Sequence, residues 1–93
     1  MMNTQRVTLI EERLTNLFAP ESLNIIDESA KHVGHASAGG GGHFAVEIIA
    51  DAFEGKSSIQ RHRMVYDALE DAMRSNEIHA LSIKASTPAE AGQ

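Results

Sequence analysis

The segment "SSIQRHRMVYDALEDAMRS" (57–75) has the period of a helix and lies between two stretches with the period of a strand. Before it, "HFAVEIIA" (43–50) alternates: Phe44, Val46, Ile48 and Ala50 share one face, and His43, Ala45, Glu47 and Ile49 share the other. After it, "EIHALSIKAS" (77–86) reads as a further strand. Within the helix, Ile59, Val65, Leu69, Ala72 and Met73 form an apolar stripe. A strand, a crossover helix and a strand in one sheet form a right-handed parallel unit, and this sets the frame for the rest of the chain.

Two further elements precede that unit. "TQRVTLIEERLTNLF" (4–18) places Val7, Ile10, Leu14, Leu17 and Phe18 at three- and four-residue spacing, which predicts a helix stopped by Pro20. "SLNIIDES" (22–29) is short and β-branched in its middle, a strand. An oversized glycine-rich loop joins it to 43–50, so the two strands are expected to pair antiparallel. The order is α-β-β-α-β, an α+β fold with a three-stranded mixed sheet and helices packed on one face. The 93 residues support one modest core, hence a single domain over residues 1–88. The polar end "TPAEAGQ" is expected to fray, with 89–93 a flexible tail.

Composition narrows the function classes. There is no run of about 18 apolar residues to span a membrane, and "MMNTQRVTLIEER" carries charge where a signal peptide is apolar. A cytoplasmic protein with no membrane partner is the expectation. Cysteine is absent, so the chain by itself offers no disulfide, no thiol nucleophile and no thiolate for zinc or an iron–sulfur cluster. The formal net charge of −5 argues against a general nucleic-acid binder, although four of the eight Lys and Arg residues fall between Lys56 and Arg74.

Several short motifs carry possible chemistry. In "EGKSS", Gly-Lys-Ser has the ending of a phosphate loop, but that motif needs a glycine where Ala50 stands, so a turn glycine and a helix-capping serine are the simpler reading. In "QRHRMVY", Arg61, His62 and Arg63, with Lys56 before them, form either a solvated helix face or a contact patch for phosphates or an acidic protein surface. His79 has the parity of Leu81 and Ile83, which favours a structural histidine; as a ligand it would have the rigidity of a strand. "KHVGHASAGGGGHF" (31–44) holds His32, His35 and His43. His-x-x-His on a loop is not the helical spacing of a zinc enzyme, and His43 reads as a solvated or structural strand residue. No nucleophile–base–orienter set can be found by spacing, so an enzyme is not expected.

Together, "IIDESAKHVGH", the phrase F-x-G-K-S-x-x-x-R-H-R-x-V-Y-x-x-L from Phe53 to Leu69, and "EIHALSIKASTP" resemble the BolA family over residues 7–88. The resemblance implies a fold like a class II KH domain. It also implies a non-enzymatic role in iron–sulfur and iron homeostasis, through a complex with a monothiol glutaredoxin in which a [2Fe-2S] cluster bridges the two proteins. The glutaredoxin cysteine and a glutathione thiol would hold one side. This chain would give His79 and a loop histidine, best matched by His32 three residues after "DES", with His35 as its rival. No cofactor is then expected on the isolated chain, which should be a monomer or weak homodimer.

The family also includes transcriptional regulators of stress response and cell morphology, so a DNA-binding regulator using the second helix is the alternative. The chain lacks the G-x-x-G loop between helices that KH domains use on RNA; its "GGGG" (39–42) lies between strands. A plain interaction module with incidental histidines is the third reading.

Overall fold

The computed structural model describes residues 3–29, 42–75 and 77–92. Helix α1 (Asn3–Phe18) leads into strand β1 (Ser22–Asp27), which pairs antiparallel with β2 (Gly42–Ile49). A 3-10 turn (Asp51–Phe53) precedes α2 (Ser58–Ala68) and α3 (Glu70–Arg74), and β3 (Ile78–Ser86) then pairs parallel with β2. The sheet order is β1-β2-β3, so the alternating strand is central, as its apolar face requires. The expected mixed α+β sheet is the one found.

The core forms where the helices cover the even-numbered face of β2. Phe44, Val46 and Ile48 meet Ile10, Leu14 and Phe18 of α1, Val65 of α2 and Ala72 of α3, all buried. Ala45, Glu47 and Ile49 lie on the opposite, open face. Two residues assigned to apolar stripes do not join this core: Leu17 is 61% exposed and Ile59 70%. Of these neighbours at the end of α1, Phe18 faces inward, with its ring 5.3 Å from that of Phe53, and Leu17 does not.

α1 ends at Phe18 because Ala19 turns left-handed, φ 45°, with its N–H donated to the Thr15 carbonyl. Pro20 then prevents any continuation. The segment 57–75, read as one helix, is interrupted at Leu69, whose φ of −117° and ψ of 14° leave the helical basin. The interruption frees the Ala68 carbonyl, which accepts from Arg13 of α1 at 3.3 Å. The same guanidinium forks onto Asp71 at 2.6 and 2.7 Å. A side chain inserted into a helical ladder is a recognised cause of such breaks.

In place of a frayed tail, Pro88–Ala91 form a helical turn, α4. Thr87 caps it: its hydroxyl accepts from the Glu90 N–H, and the Glu90 carboxylate accepts from the Thr87 N–H.

Candidate functional site

β3 enters the sheet through an irregularity that sequence parity could not reveal. Gly42 pairs with Ile78, but His43 pairs with Ala80, so His79 is the extra residue of a β-bulge. Bulges re-aim side chains, and here the phase of the strand slips by one residue. Ile78 and Leu81, three residues apart, both enter the core, while His79 is exposed. The expected parity of His79 with Leu81 and Ile83 is therefore incorrect, and the core-histidine reading that rested on it falls.

The bulge brings His79 against His43 across the strand pair. The ring centroids are 5.2 Å apart and the planes inclined by 54°. Both rings are held on fixed backbone. Glu77, immediately before β3, is anchored three ways: its carboxylate receives Arg6 at 3.3 Å, its N–H donates to the Ala72 carbonyl, and its carbonyl accepts the Gly42 N–H at 3.2 Å. Ile78, next along, is buried. His43 is fastened from β1: its N–H donates to the Ser29 hydroxyl at 3.0 Å, and its carbonyl accepts the Glu28 N–H at 2.8 Å. Ser29 is itself positioned by an N–H bond to the Asp27 carboxylate at 2.9 Å. The "DES" triplet thus holds the strand that carries His43.

Gly42 completes the frame. A methyl group there would collide with the edge of the buried Phe44 ring, so this position is restricted by packing. The last glycine of "GGGG" is a close-approach glycine beside the site.

The histidines expected as loop ligands, His32 and His35, lie outside the described residues. His43, set aside in the sequence reading as a solvated or structural residue, is half-buried and in ring contact with His79. Its position opposite "DES" and one residue from the loop was the available signal; the missing piece was the bulge.

The patch around α2 divides. Lys56, His62 and Arg63 are exposed. Arg61 turns inward: its guanidinium donates to the Ala85 carbonyl at 3.1 Å, to the Lys56 carbonyl at 2.9 Å, and forks onto Glu90 at 2.7 and 3.1 Å. Its side chain is 13% exposed, which makes it a clasp for α4 in place of the outward contact expected of it. His62 stacks on Tyr66 at 4.8 Å, and the Tyr66 hydroxyl donates to the Leu81 carbonyl. Ser58, Ile59, His62, Arg63 and Tyr66 line a shallow groove of about 430 Å³. "EGKSS" is structural: Gly55 takes a left-handed turn, and Ser57 and Gln60 form a reciprocal capping box.

Chemically, the site offers two imidazoles on adjacent strands and no described nucleophile–base arrangement. Among the described residues, no group of three or more His, Asp or Glu side chains comes together to hold a metal ion. A cluster with four ligands therefore needs donors beyond the described part of this chain. The donor chemistry present, imidazole nitrogen on a strand with a restrained backbone, is of the type the histidine half of such a ligand set would use.

Comparisons with known proteins agree with this architecture. The family model described as BolA-like protein matches residues 14–90. SufE-like protein 1, chloroplastic/mitochondrial, of Arabidopsis thaliana is 48% identical over 87 residues, covering 87% of this chain and 23% of that longer protein. The DNA-binding transcriptional regulator BolA of Escherichia coli (strain K12) is 39% identical, covering 80% of this chain and 68% of the relative. Among solved structures, the BolA domain of SufE1 from Arabidopsis thaliana superposes with a TM-score of 0.81 at 46% identity, covering 91% of this chain and 94% of that one.

Proposed function

The chain belongs to the BolA family, and from that premise we propose that it is a non-enzymatic adaptor that docks a monothiol glutaredoxin and co-ligates a bridging [2Fe-2S] cluster. The observation that carries the proposal is the bulged His79, exposed on a strand whose entry is nailed down by Glu77 and Ile78. A ligand fixed before the metal arrives loses little freedom on binding. His79 gives one imidazole, and His32 or His35 gives the second. The thiolates come from the glutaredoxin cysteine and glutathione, since this chain has no cysteine. When bound, the cluster supplies one-electron redox capacity and transferable iron and sulfide; this chain's part is to present neutral nitrogen and to fix its direction. Two histidines in place of two thiolates on one iron raise the reduction potential, and acid weakens ligation because the ligating imidazole must be unprotonated.

Combining the chain with a monothiol glutaredoxin, iron, sulfide and glutathione should give a complex with a spectrum of the histidine-ligated [2Fe-2S] type. An unchanged spectrum with His79→Ala would sink the ligand assignment.

A second reading has its own support. The Escherichia coli relative is named as a DNA-binding regulator, and Lys56, His62 and Arg63 stand exposed at the start of α2. Binding by this patch would weaken steeply with salt, and Arg63→Ala would reduce the salt slope by about one. Absence of binding to promoter DNA at about 50 mM salt would count against this reading.

A further inference from the structure

The His43–His79 pair has a geometry of its own, independent of any partner. Zinc and its neighbours bind imidazole nitrogen at about 2.0–2.1 Å, which puts each ring centroid about 3.2 Å from the ion; a tetrahedral angle then separates two such centroids by about 5 Å. The observed separation is 5.2 Å. The rings are inclined to each other by 54°, so they are not stacked face to face.

We propose that His43 and His79 form a two-imidazole chelate on the isolated chain for a single late divalent transition ion, of the Zn²⁺ or Ni²⁺ class. Imidazole suits these ions, and it excludes Mg²⁺ and Ca²⁺, which take oxygen. Preorganisation is the reason two ligands suffice for measurable binding. The His43 backbone is bonded on both sides by Ser29 and Glu28, and the His79 backbone follows the anchored Glu77 and buried Ile78. The second nitrogen therefore binds at a high effective concentration once the first has bound. The Nε2 atom of His43 is buried, and His79 is the exposed member of the pair. Among the described residues no third His, Asp or Glu joins the pair. The site requires neither glutaredoxin nor iron. If the glutaredoxin reading also holds, such an ion occupies His79 and competes with cluster assembly.

The test uses the whole chain without a partner. ZnCl2 is titrated calorimetrically, and imidazole nitrogens are followed by ¹⁵N-correlated NMR. Saturable 1:1 binding is expected, with the resonances of His43 and His79 moving together. His43→Ala and His79→Ala should each weaken binding about tenfold or more, because either leaves one ligand with no chelate partner. His43→Gln, a polar replacement of similar size, should do the same while keeping the native melting temperature, which separates lost ligation from lost folding. The double substitution His32→Ala/His35→Ala should leave affinity within about threefold of the native chain. No saturable Zn²⁺ binding, near-native affinity in a folded His43→Gln, or abolition of binding by the loop double substitution would each overturn the proposal. None of these outcomes bears on cluster formation with glutaredoxin, which is read separately from the spectrum of the complex.

Discussion

The two ends of β3 are built on opposite plans. At its start the ladder is irregular, and a bulge turns His79 outward beside His43. At its finish the polar groups bond to one another. Arg61 is forked onto Glu90 and bonded to the Ala85 carbonyl, and Thr87 and Glu90 cap each other. The contrast shows that residue type does not tell a site from a fastening. "Arg-His-Arg" reads as one basic patch, yet Arg61 points into the fold and Arg63 points out of it. The end with the paired imidazoles restrains their backbone from both strands. The other end uses its charges to hold itself closed.

Substitutions at the two ends should separate these plans. The largest effect is expected from His79→Ala, which should abolish the spectrum of the glutaredoxin complex. Because His79 is exposed, the same variant should change unfolding free energy by no more than about 0.5 kcal/mol. Gly42→Ala should come next. The added methyl drives the Phe44 ring out of place, and overpacking of this kind costs about 1–3 kcal/mol, measurable by urea unfolding. It should also weaken ligation by His79, because the Gly42 N–H bond to Glu77 helps fix the strand entry.

At the closed end, Arg61→Ala should release α4, seen as faster amide exchange at Glu90 and Ala91 and a lowered melting temperature, with cluster binding retained. Acid should approach the same state reversibly. The Glu90 carboxyl is held at about 2, against an ordinary 4.5, first by the Arg61 hydrogen bonds and then by the Thr87 amide. A depressed carboxyl favours the folded form above its ordinary value, so the contribution is whole above pH 4.5 and fades as pH falls toward 2. Amide shifts of Thr87 and Glu90 should change over that window. Asp71, held at about 2 by Arg13, should fade over a similar range. Both carboxylates are more than half exposed, so salt should shrink the effect. The smallest change is expected at neither end: Ala19→Gly, which removes the Cβ from a left-handed residue, should stabilise by about 0.5–1 kcal/mol.

Much of this was legible in the sequence because it follows from periodicity. The alternation of 43–50 identified the central strand and its buried face, and the strand–helix–strand order predicted the parallel pairing. The distinctive phrase from Phe53 to Leu69 pointed to the family. What escaped depends on contacts between distant residues. Parity counting assumes an unbroken strand, so one bulge was enough to put His79 on the wrong face and to hide its neighbour His43. Arg61 could not be told from Arg63 because its partner, Glu90, lies in a segment whose composition suggests fraying. The carbonyl freed by the interruption at Leu69 is met by Arg13, 55 residues upstream. Ile59 and Leu17 fit a helical stripe by spacing, but each lies where no second element covers it.

The carbonyl bonds along β3 have a further consequence. β3 is an edge strand, and an open edge is a template on which another chain can polymerise. The Leu81 and Ala85 carbonyls are occupied by Tyr66 and Arg61, two side chains of the helix that crosses over the sheet. These two side chains stand where a neighbouring strand would otherwise bond, and no such strand is found among the described residues. Replacing them both should convert a chain that ends its own sheet into one that seeks a continuation, with a tendency to form fibrils at high concentration.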